Sequence, residues 1–589
     1  MEIPAFVDGT GEIPVYDSFS GTHKGTGDKN QSFWLDSNGV HIQAHGGQVQ
    51  SLNEAEVHYD LDGNGQIEDQ DVWLWYGEDK TRDGKPIDGV NCYVSTDLYN
   101  WTDMGTVLRT HDMIPAKLAT EGIFAKDGVA LDESALGTLK AWAKMEEADS
   151  NVSQEEIDMA REFLEAYVDP DSETGYDEEN LQLAFWNLYT GYCIVERPKM
   201  LYNEKTGQYV VVYHQDAPSE ANIKNYLEEI EENGSSENTG SRYSRASMGF
   251  AVSDTPFGPF KLVNVQWMNG TYGAKPGMAR DMNVFLDDTD LDENGVPDAY
   301  AIYSTEENAK LNISLLNETY TGPATEGGID EMVTPSGKTI KTYEARVLSD
   351  NSREAPALFK YDGYYYMITS GTSGWNPNPA VYYRAENIFG PWEKMGDPCE
   401  GGSSTTFDSQ STCVIPVDEE NGKFIYMGDR WRTEGDSSAL WYSSYVWLPI
   451  EMTSDHRIEL KNVSDWDISL LDRLGPVTIN TELPETIAYG SAFDLPSAVN
   501  ITMGGNTFDT PVIWDAPEAL GEQVIQGYLT QLDRSISVTV NVVVRDAVYF
   551  VDCGAESPEG RTYFNEIEDL CGKTMKNGET RDQPYSPGS

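Results

Sequence analysis

Tyr364-Tyr365-Tyr366-Met367-Ile368, followed by Val381-Tyr382-Tyr383-Arg384-Ala385 and then Gly390-Pro391-Trp392, decides the fold. An aromatic, β-branched run, a second such run and a Gly-Pro-aromatic turn read as two strands of one sheet. The phrase recurs. Cys92-Tyr93-Val94-Ser95 leads into Thr96-Asp97-Leu98-Tyr99-Asn100-Trp101, and Gly249-Phe250-Ala251-Val252-Ser253 leads into Gly258-Pro259-Phe260. Further strand runs are Val72-Trp73-Leu74-Trp75-Tyr76-Gly77, Tyr209-Val210-Val211-Val212-Tyr213, Ala299-Tyr300-Ala301-Ile302-Tyr303 and Phe424-Ile425-Tyr426-Met427. A degenerate repeat of sheet units, none able to bury its own face, points to radial packing in a β-propeller. At about 40 to 45 residues per blade, five blades use about 225 of the first 450 or so positions. The rest is insertion.

One insertion falls at about residues 110–190. Ser153-Gln154-Glu155-Glu156 forms a capping box ahead of Ile157, Ala160, Phe163, Leu164 and Tyr167 at helical spacing, which predicts an amphipathic helix packed on the outside. A second, polar insertion at about 216–245 reads as a loop or short helix. The propeller domain is expected over 1–470. From about Pro476 to Val544 the texture changes to short alternating segments such as Ile536-Ser537-Val538-Thr539-Val540-Asn541-Val542. These predict a sandwich over 475–545 resembling a bacterial immunoglobulin-like domain. Residues 546–589 read as the start of a galactose-binding-like module or a tail. The fold class is therefore all-β with helical insertions.

The 589 residues carry 99 Asp+Glu against 40 Lys+Arg, a formal charge of −59. Such a field disfavours nucleic acid, anionic lipid and polyanionic substrates, and leaves a neutral sugar unaffected. Fourteen Trp, 33 Tyr and 18 Phe supply cores, so a disordered acidic chain is excluded. No apolar run is long enough to span a bilayer. The start, Met1-Glu2-Ile3-Pro4, lacks the features of a secretory signal, and we expect a secreted or cell-surface bacterial protein whose leader is absent from this chain, acting as a monomer. Six cysteines without CxxC pairs are expected as free buried thiols.

Serine-hydrolase elbows, zinc-protease motifs and nucleotide loops are missing from the sequence. What remains is carboxylates and amides beside Pro, Ala or Ser at strand ends: Val195-Glu196-Arg197-Pro198, Ala279-Arg280-Asp281-Met282, Ser352-Arg353-Glu354-Ala355-Pro356 and Phe407-Asp408-Ser409-Gln410-Ser411-Thr412. One such pair alone is ordinarily a solvated ion pair. Recurrence in similar context argues for convergence on one ligand. Glycoside cleavage needs a protonated carboxylic acid and a second group to activate water, with carboxyls about 6.5 to 9.5 Å apart for inversion. A neighbouring carboxylate raises the donor's pKa by repulsion.

These phrases, with His41-Ile42-Gln43-Ala44-His45-Gly46-Gly47, Trp75-Tyr76-Gly77-Glu78, Ser373-Gly374-Trp375-Asn376-Pro377-Asn378, Gly428-Asp429-Arg430-Trp431 and Tyr445-Val446-Trp447-Leu448-Pro449, run in order from about residue 30 to 450. In this the chain resembles the exo-β-1,3-galactanase branch of glycoside hydrolase family 43. The resemblance implies a five-bladed propeller and an inverting exo-hydrolase releasing galactose from β-1,3-galactan or arabinogalactan oligosaccharides. It implies Glu354 as general acid, Asp281 as the carboxylate that orients it and lifts its pKa, and Gln410 opposite the acid. It also implies sugar contacts from Gln43, His45, Glu78, Thr372, Trp375 and Asn376. Blade one departs from most of the family, since Gln43-Ala44-His45-Gly46-Gly47 holds no carboxylate where a general base is usual. Gln410 leads on resemblance and Glu196 on intrinsic basicity. An arabinofuranosidase or xylosidase of the same family, or a non-catalytic glycan-binding propeller, are the other readings.

Two acidic loops carry a separate signal. Asp60, Asp62, Asn64, Gln66 and Asp71 follow EF-hand spacing, with Asp at the final ligand. Asp288, Asp290, Asp292, Asn294 and Asp298 are similar. A structural calcium ion in each is the expectation.

Overall fold

The computed structural model describes residues 13–20, 33–53, 66, 70–80, 89–110, 133–189, 193–233, 243–269, 275, 277–291, 293–325, 329–333, 339–349, 352–432, 437–489, 494–544, 567–568 and 574–575. The chain divides into two compact units, Met1–Gly475 and Pro476–Ser589.

Five four-stranded antiparallel sheets build the first unit. Sheet one holds His45–Leu52, Val72–Glu78, Gly89–Ser95 and Thr102–Arg109, and sheet two Ile194–Asn203, Gln208–Asp216, Ser247–Ser253 and Lys261–Gln266. Sheet three holds Arg280–Leu286, Ala299–Thr305, Lys310–Leu315 and Glu344–Leu348. Sheet four holds Arg353–Tyr361, Tyr364–Gly371, Val381–Ala385 and Glu393–Gly396, and sheet five Gln410–Asp418, Lys423–Arg430, Ser444–Met452 and Ile458–Leu460. The first strand of each sheet neighbours the first strand of the next, and that of sheet five returns to sheet one. The first strands therefore close a ring.

Packing explains the strand sequences. A strand covered on both faces reads as an unbroken apolar run, because alternate side chains enter different cores. Leu74 and Tyr76 pack with Val211 and Leu262 of sheet two, while Trp75 between them packs with Met427 and Trp447 of sheet five. The same arrangement seats Val212 with Met282, Ile302 with Met367, and Phe359 with Phe424 at the three other junctions.

Each first strand also breaks register near its start: between His45 and Gln48, Glu196 and Lys199, Arg280 and Asn283, Glu354 and Ala357, and Ser411 and Cys413. In four of the five bulges one residue takes a left-handed backbone, Gly46 at φ 57°, Arg197 at 52°, Asp281 at 39° and Ala355 at 54°. A bulge at the mouth of a strand re-aims side chains that regular pleating would bury. The recurrent phrases of the sequence sit at these bulges.

The helix expected in the first insertion is Gln154–Glu165, with both halves of the Ser153–Glu156 capping box formed and Ile157, Ala160, Phe163 and Leu164 buried, and Glu133–Ala143 and Glu178–Ala184 are helical beside it in sequence. Such a cap stabilises by about 1 kcal/mol. It packs into the core shared by sheets one and two. The second insertion forms a helix, Glu220–Asn233. Cys92, Cys399 and Cys413 are free and buried and Cys193 is buried, while Cys553 and Cys571 lie outside the described residues.

The second unit has the opposite strand texture. Its strands Thr478–Ile479, Thr486–Ala488, Ala498–Met503, Asn506–Trp514, Gly521–Leu529 and Arg534–Val543 pair in one connected order. Gly521–Leu529 alternates buried and exposed through its second half, so only one face meets the core of Ile501, Val512, Trp514 and Val540.

Candidate active site

The five bulges bring their polar side chains together as a belt linking all five first strands. Arg197 is its hub. Its Nε donates to Asp281 Oδ1 at 2.8 Å, its second terminal nitrogen to Gln410 Oε1 at 2.7 Å, and its first to the Ser411 carbonyl at 3.0 Å. Its backbone N–H donates to Glu78 Oε1 at 2.6 Å. Asn283 Nδ2 joins sheet three to the Pro356 and Thr412 carbonyls. Asp429 joins sheet five to sheet one through the Gly46 N–H and His45.

Glu354 lies buried in this belt. Gln410 Nε2 donates to its Oε1 at 3.1 Å, and Asn308 Nδ2 to its Oε2 at 3.2 Å. Burial, then the charge of Asp281 and a hydrogen bond shared with it, lift the Glu354 carboxyl to about 8 against the opposing Arg197 charge. At neutral pH the group is a protonated acid, the state a proton donor to a leaving oxygen requires.

Glu196 occupies the equivalent bulge position in sheet two and has a different fate. His214 Nδ1 meets its Oε2 at 3.1 Å, and the Tyr243 hydroxyl donates to its Oε1 at 2.6 Å. Burial pushes Glu196 up, but the His214 hydrogen bond and charge, with Lys80 and Tyr243, outweigh it and hold the carboxyl at about 2. His214 lies between Glu196 and Asp216. Burial pulls it down, the two carboxylates win, and it rises to about 9. The intrinsic basicity that favoured Glu196 on sequence is thus spent on an imidazolium.

Neighbouring Arg–carboxylate residues do not pair with each other. Arg197 reaches Asp281 rather than Glu196, Arg280 reaches Glu307 and Asp216, and Arg353 reaches Thr369. Successive side chains of a strand diverge.

The other expected sugar contacts divide into two groups. Gln43 and His45 are buried: Gln43 Nε2 bonds His41 and the Trp441 carbonyl, and His45 bonds Asp429 and stacks on Tyr445. Glu78 is buried against Lys80 at 2.7 Å. Thr372 and Asn376 lie on an exposed turn pinned by Asn378, whose side chain bonds Gly371 twice. Trp375, on the same turn, meets Trp431 edge-on at 4.9 Å, and Trp431 Nε1 donates to Gln410 Oε1 at 2.8 Å. An aromatic wall therefore adjoins the acid, of the kind that takes a sugar face.

Arg197, Trp431, Asn308, His214 and Tyr243 were not assigned from sequence. Arg197 and Trp431 stand inside quoted phrases and could have been found there. The other three carry no local signal.

Of the acidic loops, Asp60, Asp62, Asn64 and Asp292 lie outside the described residues, and Gln66 and Asp71 are exposed. Asp290 accepts from the Asn294 and Gly295 N–H groups, Asp298 from Thr289 and Leu291, and Asp288 pairs with Lys360. Among the described residues no group of three or more His, Cys, Asp or Glu is placed to hold a metal ion.

The chain is similar to solved galactan-acting hydrolases. A GH43 β-1,3-galactosidase with galactodeoxynojirimycin is 25% identical, with 74% of this chain and 99% of that one covered, at a TM-score of 0.45. The exo-β-1,3-galactanase of Clostridium thermocellum is 22% identical, covering 89% of each chain, at 0.47. That of Phanerochaete chrysosporium with galactose is 19% identical, covering 87% and 92%, at 0.44. No family model and no curated protein matches the chain. With TM-scores below 0.5, the functional reading rests on the site geometry. No helix among the described residues is long and apolar enough to cross a membrane.

Proposed function

We propose that this protein is an inverting exo-glycoside hydrolase releasing galactose from β-1,3-galactan, its five sheets the blades of a propeller and its second unit an immunoglobulin-like module. One observation carries the reading: a carboxyl lifted to about 8 beside a second carboxylate, an oriented amide and an aromatic wall. Glu354 donates its proton to the glycosidic oxygen as the bond breaks. Asp281, fixed by Arg197, keeps that proton on Glu354 until then. Gln410 receives two donors on Oε1, from Arg197 and Trp431, so its Nε2 is the end turned to Glu354.

The contact of 3.1 Å between Gln410 and Glu354 is shorter than the about 6.5 to 9.5 Å that an inverting pair spans around a sugar and its water. A galactosyl ring entering the site breaks that contact. Gln410 then holds the water in line on the far side of the ring, because an amide clamped by two donors is a positioning group and a poor base.

Digestion of β-1,3-galactan, with aryl arabinofuranoside and aryl xyloside assayed in parallel, tests the proposal. Galactose as the sole early product supports it. Pentose release in its place overturns the substrate, and binding of galactan with no sugar released overturns the enzyme.

A further inference from the structure

Arg197 orders the belt while standing in a left-handed backbone, a conformation that is strained for a non-glycine residue and persists only where its surroundings over-determine it. Its N–H is held by Glu78. Its carbonyl is held by Lys199. That lysine, two residues further along the strand, is fully buried, and its Nζ donates to the Arg197 carbonyl at 3.2 Å and to the Gly46 carbonyl at 2.7 Å. Gly46 is the left-handed residue of the sheet-one bulge. One amine thus clips two adjacent bulges, and the peptide of Gly46 is fixed from both ends, since its N–H meets Asp429.

We infer that Lys199 is a positioning residue for the hydrolysis proposed above: by tying the Gly46 and Arg197 carbonyls together, it sets the Arg197 guanidinium that orders Asp281 and Gln410 around Glu354. The inference rests on that reading of the site and names a group the mechanism does not use. Burial is costly for an ammonium unless hydrogen-bond partners go with it, and the Gly46 and Arg197 carbonyls are those partners. Burial first, then the Arg197 charge, pull Lys199 down to about 7, with Cys413, Glu78 and Asp429 acting the other way. The amine keeps two N–H donors in either protonation state, so the clip survives titration. Both bonds are to carbonyls that only a donor can satisfy.

The experiment is a double-mutant cycle on the full chain with Lys199→Met, Arg197→Lys and the pair, read as kcat and KM on β-1,3-galactobiose. Displacing a catalytic constellation by an ångström costs about 100-fold. Lys199→Met is expected to lower kcat by about that factor with KM changed less than about threefold, and the double variant to be no slower than Arg197→Lys, since both act through one guanidinium. Multiplying losses, or a folded Lys199→Met with near-native kcat, overturn the inference. If Lys199→Met does not fold, Lys199→Leu, which likewise removes both donors, replaces it under the same criteria.

A second readout needs no substrate. The near-ultraviolet circular dichroism band lost in Trp431→Phe reports the indole that shares Gln410 with Arg197. Lys199→Met should weaken that band by half or more, and an unchanged band overturns the inference. If the native protein releases no galactose while Lys199→Met shows the weakened band, the proposed function is defeated and the clip is left standing.

Discussion

Glu196 and Glu354 stand at equivalent bulges, in sheets two and four, and both are buried. One is held at about 2 and the other lifted to about 8. The backbone device is the same, so the difference comes from neighbours. Glu196 faces a histidine trapped between two carboxylates and a tyrosine hydroxyl; Glu354 faces Asp281 and two side-chain amides. Two carboxyl groups with one placement are divided into a permanent anion and a stored proton by what the adjoining sheets aim at them.

The largest expected effect breaks the comparison at its acidic end. Glu354→Gln keeps the shape, gives up one of the two amide bonds accepted there and removes the proton, and should cost about a thousandfold in kcat, within the range for general acid–base catalysis. Glu196→Gln should leave kcat within about tenfold, since a carboxylate held by His214 and Tyr243 takes no part in that proton transfer. A Glu196 loss equal to that of Glu354 would make it the base. Gln410→Ala should cost about 100-fold in kcat, as expected for a water-positioning group. If instead Gln410→Ala keeps near-native turnover while Glu196→Ala abolishes it, the two residues must exchange roles.

Asp281→Asn sharpens the comparison by taking away part of what lifts Glu354. The native pH–rate profile should fall as pH rises through about 8, where Glu354 loses its proton. In Asp281→Asn that limb should move to lower pH, and an unmoved limb would mean that burial alone lifts the acid. The smallest effect concerns stability. His214 rises from its ordinary value to about 9 in the fold, so its ion pairs contribute fully below about 6.5. The contribution is lost as pH rises through about 9. The thermal midpoint of the native protein should exceed that of His214→Gln at pH 6 by about 2 °C or more, and the gap should close by pH 10.

How much was legible depends on where a contact lies in sequence. The strand runs could be read because packing between two sheets demands apolar side chains on both faces, as at Leu74, Trp75 and Tyr76. The positions of Asp281 and Glu354 could be read because charged residues beside Ala, Met or Pro at strand starts are anomalous unless a bulge re-aims them. The network around Glu196 could not. Tyr243 lies at the end of a polar insertion and His214 on the next strand, so their meeting with Glu196 appears only when sheet two is assembled. Gln43 and His45 show the converse. Their phrase marks the site, yet both side chains are engaged in internal bonds, Gln43 to His41 and the Trp441 carbonyl and His45 to Asp429 of sheet five.

Carbon-13 titration of the glutamate carboxyls tests the central claim most directly, with Glu354→Gln and Glu196→Gln giving the assignments. The account predicts one resonance titrating near pH 8 that vanishes in Glu354→Gln, and one still ionised at pH 3 that vanishes in Glu196→Gln. Two carboxyls titrating together near the ordinary glutamate value would contradict it.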